Sequence, residues 1–232
     1  MSNIIECHNL SKDYGNKLAL NQVNLSLESG RIVGLLGPNG SGKTTWIKLA
    51  NGLLTPSGGE ILLDGNKPGA ETKSIVSYLP DANYLPTWMN VDTLLHMFED
   101  FYSDFDRAKA QEMMQQLNLN GRDRLKSLSK GNKEKVQLIL AMSRKARIYF
   151  LDEPIGGVDP AARDYILNTI IQNYSDHSLV VLSTHLIADI ERVLDEVVFL
   201  NQGQIVFHRE VDEIRETEGK SVDELFREVF RC

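Results

Sequence analysis

The stretch Gly37-Pro-Asn-Gly-Ser-Gly-Lys-Thr44 decides how this chain is read. It fills the pattern G-x-x-x-x-G-K-[ST], and its flanks suit that chemistry. Arg31–Leu36 is a short apolar run that reads as a buried strand. Lys43–Leu54 reads as a helix, with Trp46, Ile47, Leu49, Ala50 and Leu53 near a 3.6-residue spacing. Glycines between the two let the backbone curl with its N–H groups inward, and the helix start adds a positive dipole end. Lys43 can then reach the β- and γ-phosphates and steady the transferring phosphoryl group, while the Thr44 hydroxyl can hold Mg²⁺. Gly37, Pro38, Asn39, Gly40, Ser41, Gly42, Lys43, Thr44 and Thr45 form the candidate phosphate-binding set. The expected ligand is a nucleoside triphosphate.

Such a loop needs a carboxylate to complete a Mg²⁺ shell and a group to activate water. Arg147-Ile-Tyr-Phe-Leu-Asp-Glu-Pro154 supplies both. Four apolar residues make a strand, and Asp152 at its end can reach Mg²⁺, through water if need be. Glu153 is then placed to accept a proton from the attacking water.

Composition narrows the partners. With 232 residues, 25% charged and 42% hydrophobic, the chain has ample core for a globular protein. A net charge of −7 argues against a broad nucleic-acid footprint. Cys7 and Cys232 show no metal spacing and read as plain thiols suited to a reducing cytosol. No apolar stretch approaches a bilayer span, and the N-terminus lacks a signal-like h-region, so any membrane position is expected to come through another polypeptide.

Strands are expected at Ile4–Leu10, Leu18–Leu27, Glu60–Leu63 and Ser74–Leu79. Helices then follow around Val91–Phe98, Asp106–Leu117 and Gly131–Ser143. Alternation resumes with strands Ile148–Leu151 and Leu179–Leu182, helices Pro160–Asn173 and Leu186–Leu194, and a hairpin of Glu196–Leu200 with Gln204–His208. Near the C-terminus, Val222, Leu225, Phe226, Val229 and Phe230 mark an amphipathic helix, and Ser221 with Glu224 gives it a capping box. The pattern is an α/β nucleotide-binding core interrupted by a helical insert at about 87–145.

Three further segments carry a family resemblance: Leu128-Ser-Lys-Gly-Asn132 upstream of the Asp152 strand, Gly156-Gly-Val-Asp-Pro160 after it, and Ser183-Thr-His185 at the end of the next strand. With the phosphate loop, their order and spacing resemble the ATP-binding subunit of an ABC transporter over residues 1–208, most closely the single-cassette subunits of bacterial exporters. The resemblance implies a phosphate-loop ATPase core with an N-terminal antiparallel β subdomain and a helical insert carrying the signature segment. Residues 209–232 would be a short C-terminal helical extension, docked on its own chain or on a dimer partner. It also implies that Tyr14 stacks on adenine, and that Ser129 and Gly131 bind the γ-phosphate of ATP held by an opposite subunit. Asp159 would link the two sites across the dimer, besides being a plausible N-cap ahead of Pro160. His185 would contact the γ-phosphate and keep water and Glu153 aligned.

The partners so implied are a second ABC ATPase chain, identical or different, and a separate transmembrane permease. The latter would hold this cytoplasmic chain on the inner face of the cell membrane. The chain departs from the family at Asp81, where Gln is usual, and at Lys130 and Asn132 in the signature. Asp81 is one methylene shorter than Gln and acceptor-only, which fits a metal-proximal ligand. Two other functions compete: a soluble ABC-type ATPase acting on the ribosome or nucleic acid, and a metabolic kinase. The first usually has tandem cassettes or long coiled-coil insertions; the second needs neither a signature segment nor His185.

Overall fold

The computed structural model describes residues 3–156, 158, 160–173 and 177–230. In chain order the elements are β1 (Asn3–Asp13), β2 (Leu18–Glu28), β3 (Arg31–Leu36), α1 (Lys43–Ala50), β4 (Gly58–Leu63), α2 (Ala70–Ile75) and β5 (Val76–Leu79). A helical stretch follows with α3 (Val91–Phe101), α4 (Arg107–Gln116) and α5 (Lys130–Met142). Then come β6 (Ile148–Asp152), α6 (Pro160–Asn173), β7 (Leu179–Ser183), α7 (Ile187–Ile190), β8 (Glu196–Asn201), β9 (Gln204–Glu210), α8 (Val211–Glu218) and α9 (Val222–Phe230).

Among the described residues the strands form two sheets: β2-β1-β4, which is antiparallel, and β5-β6-β7-β3-β8-β9, parallel except for β9. Alternation along each inner strand of the larger sheet divides the core in two. Ile32 and Leu36 of β3, Tyr149 and Leu151 of β6, Val180 and Leu182 of β7, and Val197 and Phe199 of β8 face the side packed by α3–α7 and the C-terminal helices. Val33, Leu35, Ile148, Phe150, Leu179, Val181, Val198 and Leu200 face α1 and the smaller sheet. There Trp46 meets the Phe150 ring edge-on, with centroids 5.9 Å apart.

The helical stretch is held to β5 by Arg144, which is only 4% exposed. Its guanidinium lies 3.8 Å from the Tyr102 ring centroid, pairs with Asp104 at 2.6 Å, and donates to the carbonyls of Ser74 (2.8 Å) and Val76 (3.1 Å). Side-chain caps start α3 (Asn90), α4 (Asp106) and α5 (Ser129), as Ser221 does α9.

The structure corrects three sequence readings. The first long helix ends at Ala50, not Leu54. Ser74 and Ile75 close the helix α2 instead of opening a strand. Residues 211–218, to which no element was assigned, form α8, a helix anchored by little more than Val211 and Ile214. The expected amphipathic helix near the C-terminus is present as α9, and its Ser221–Glu224 capping box is formed, with Ser221 N donating to Glu224 Oε2 at 2.8 Å and Glu224 N to Ser221 Oγ at 3.1 Å. It docks on its own chain: Phe226 and Phe230 meet Phe199 at 5.5 and 5.9 Å.

Candidate nucleotide site

Strand order assembles the site. β6 lies beside β7 and β7 beside β3, so three loops leave the carboxyl ends of neighbouring parallel strands, where open α/β sheets bind ligands. Register pairs Asp152 with Ser183 and Ser183 with Leu35. The loop at 37–44 therefore emerges next to Asp152 and to residues 183–185.

That loop has glycine where nothing else fits. A Cβ on Gly37 would fall 2.2 Å from the Leu200 carbonyl oxygen. Gly42 has φ +117, and a Cβ there would lie 2.6 Å from the Ala19 carbonyl oxygen. Lys43 is buried, and its ammonium donates to the carbonyls of Gly37 (2.7 Å) and Pro38 (3.3 Å). Burial lowers the Lys43 pKa, against the opposing pull of Glu153 and Asp152.

Most of the expected residues meet at one cavity of about 250 Å³. Tyr14, Asn39, Gly40, Gly42, Lys43, Thr44, Thr45, Asp81, Asp152 and Glu153 all contribute to its wall. Tyr14, 52% exposed, is open to stack on a flat ring. Gly37, Pro38 and Ser41 form the base of the loop behind that wall, where Ser41 N donates to the Pro38 carbonyl at 3.1 Å. A second cavity, of about 200 Å³, adjoins the first through Asp81, Asp152 and Glu153, and adds His185, Lys130 and Glu134.

Asp152 is 2% exposed and accepts from the Ser183 hydroxyl, yet its Oδ2 is buried with no partner among the described residues. Burial pushes its carboxyl above the usual carboxylate range; the Ser183 and Thr44 hydroxyls oppose this, and Asp81 and Glu153 add to it. A desolvated carboxylate with an unpartnered oxygen and the Thr44 hydroxyl beside it offers oxygen ligands to a hard divalent cation, the rest of whose shell would come from phosphate and water; among the described residues no cluster of three or more acids, histidines or cysteines is placed to enclose a metal. The residues fit Mg²⁺.

Glu153 has φ +55, an uncommon conformation outside glycine. Its N–H donates to the Ser183 carbonyl at 2.8 Å and its carbonyl accepts from Gly156 N at 3.2 Å. Its Oε2 accepts from Thr184 Oγ1 at 3.0 Å and lies 3.0 Å from His185 Nδ1. A carboxylate only accepts, so the proton of this pair belongs on Nδ1.

Ser129 and Gly131 line neither cavity; they flank Lys130 at the start of α5, where Ser129 is exposed and its Oγ accepts from Asn132 N at 3.2 Å. Lys130 is exposed and sits 3.7 Å from Glu134. Asp159 lies outside the described residues. Sequence reasoning missed Lys17, which lines the first cavity with its ammonium 3.4 Å from the Gly40 carbonyl. It also missed Ser183 and Thr184 as partners of the two acids. Both stood in the quoted segment before His185, but only strand register shows what they meet.

A family model described as "ABC transporter" matches residues 20–156. The chain is 31% identical over 216 residues to the ABC transporter ATP-binding protein YtrB of Bacillus subtilis (strain 168), covering 92% of this chain and 74% of that one. It is 25% identical over 229 residues to the lantibiotic transport ATP-binding protein SrtF of Streptococcus pyogenes, covering 96% of each. A solved ATP binding subunit of an ABC transporter matches with a TM-score of 0.88 at 29% identity, over 98% of this chain and 99% of that chain.

Proposed function

We propose, because this chain belongs to the ABC transporter family as an ATP-binding ATPase subunit, that it powers an exporter whose membrane-spanning part is a separate chain. The observation that carries the reading is the single cavity joining Tyr14, the phosphate loop, Asp152 and Glu153. Among the described residues, no helix is long and apolar enough to cross a membrane. An apolar groove of about 440 Å³ runs between the α1–β5 side and the helical stretch, walled by Leu53, Tyr78, Tyr84, Phe98 and Tyr102. It ends at the loop of Pro80 and Ala82, which flank Asp81, so a segment of the membrane subunit seated there would touch the nucleotide site. Seated in this way, the chain would lie on the inner face of the cell membrane. A transport role agrees with SrtF's name, and export in particular rests on the resemblance of Tyr78-Leu-Pro-Asp81 and Leu128-Ser-Lys-Gly-Asn132 to the single-cassette subunits of bacterial exporters.

In this reading Tyr14 stacks on adenine, and the 37–45 loop with Lys43 binds the phosphates. Thr44, Asp152 and Asp81 hold Mg²⁺, which would neutralise charge building on the phosphate oxygens. Glu153 takes a proton from water as the water oxygen bonds to the γ-phosphorus and the bond to the ADP oxygen breaks. His185 holds Glu153 through Nδ1. Ser129 and Gly131, which line neither cavity of their own chain, serve ATP bound by a second cassette, either a copy or a different chain, and Asp159 connects the two sites. Binding of ATP then favours the paired state and hydrolysis releases it. Glu153→Gln should keep ATP bound and accumulate paired cassettes on size-exclusion chromatography with Mg-ATP. A variant that stays monomeric and turns over normally refutes the role given to Glu153.

A further inference from the structure

Arg163, on α6, makes contacts the reaction as described does not use. Its Nε donates to the Val158 carbonyl at 3.2 Å, and its Nη1 donates to Asp189 Oδ2 at 2.7 Å. The first partner lies on the loop that leaves Glu153, a loop whose opening turn is closed by Gly156 N on the Glu153 carbonyl at 3.2 Å. The second lies on α7, which begins two residues after His185. One planar guanidinium therefore fastens the segment following each member of the Glu153–His185 pair to the same helix. A second ion pair, Arg192 with Asp164, ties the same helix to the turn that follows α7.

We infer that Arg163 is a positioning residue for ATP hydrolysis, holding His185 and Glu153 at hydrogen-bonding distance by bridging Val158 and Asp189. The inference rests on the proposed roles of Glu153 and His185. The guanidinium fork suits the task because it can hold a carbonyl and a carboxylate at fixed angles together; an ammonium offers a point charge without that geometry. None of its atoms touches the nucleotide cavity, so binding should not feel its loss. Only the alignment of the general base should.

The test compares Arg163→Ala, Arg163→Lys and Asp189→Asn with wild type in steady-state ATPase assays, fluorescent-nucleotide titration and thermal unfolding. All three should lower kcat about tenfold to a hundredfold, the scale of a misplaced catalytic group, with KM for ATP and nucleotide affinity within about twofold of wild type. Arg163→Lys should recover unfolding temperature without recovering kcat. Wild-type kcat in Arg163→Lys or Asp189→Asn, or a loss of stability with full activity per folded molecule, overturns the inference. Asp189→Asn keeps side-chain shape and so stands in if Arg163→Ala does not fold. Glu153→Gln run alongside separates the two levels. If it is inactive while the Arg163 variants are normal, only the bridging role falls; if it is active, the underlying reading falls.

Discussion

Asp81 is one of three positions, with Lys130 and Asn132, at which this chain departs from the family pattern, and it is the one of the three that lines the cavity of the phosphate loop. Its carboxylate lines both cavities and adds to the electrostatic load on the buried Asp152. If it lies in the coordination shell, its loss should show in metal-dependent binding alone. Asp81→Ala should weaken ATP binding in Mg²⁺ about tenfold and leave binding in EDTA unchanged, as losses of groups tuning a metal site do. Equal Mg²⁺ dependence in variant and wild type, measured by titration calorimetry, would remove Asp81 from the metal site. Residues of this kind were legible in sequence wherever backbone chemistry forces a residue type: the glycines of 37–42, Lys43 and Thr44, and the acids closing an apolar strand. Ser183 and Thr184 were not. Their meaning depends on which strand lies alongside β7, and a linear pattern does not contain that.

The helix α5 poses the same question for an element. Ser129 caps it through Asn132 N, so the residue has a structural use whatever else it does. Ser129→Asp separates the two roles, because aspartate caps equally well while placing a carboxylate where a phosphate should dock. Thermal unfolding should stay within about 1 kcal/mol of wild type, and ATP-driven pairing, followed by light scattering, should be lost. Full pairing would leave Ser129 as a cap only. Elements were readable from sequence in proportion to their apolar anchoring. β3, β6 and β7 are continuous buried runs and α5 buries every residue from Val136 to Met142. By contrast α8 shows two apolar anchors in a charged stretch, too few to signal a period. Ser74 and Ile75 adjoin a strand and share its apolar character, yet Thr72 hydrogen bonds at Gly69 start a helical turn that carries through them.

For the molecule as a whole, the C-terminal helices complete one of the two apolar layers. Phe226 lies 4.4 Å from Phe230 and edge-on to Phe199, and Asp223 N donates to Glu191 Oε2 at 3.2 Å. Phe226→Ala should cost about 2 kcal/mol in urea unfolding, the scale for removing a partly buried aromatic. An unshifted midpoint would mean that α9 rests on the surface without supporting it. Fold class was legible at this scale because strand and helix alternate around one unmistakable loop. The order β5-β6-β7-β3-β8-β9 was not, since nothing in a chain's linear order states which strands become neighbours.

The larger sheet is a partition. Odd and even residues of β3, β6, β7 and β8 belong to different compartments. Inserting or deleting one residue inside any of these strands would trade the occupants of the two rooms downstream, and within β6 it would turn Asp152 toward the wrong one. Substitution is therefore open to this sheet while its length is frozen, and size variation must be exported to the connecting segments.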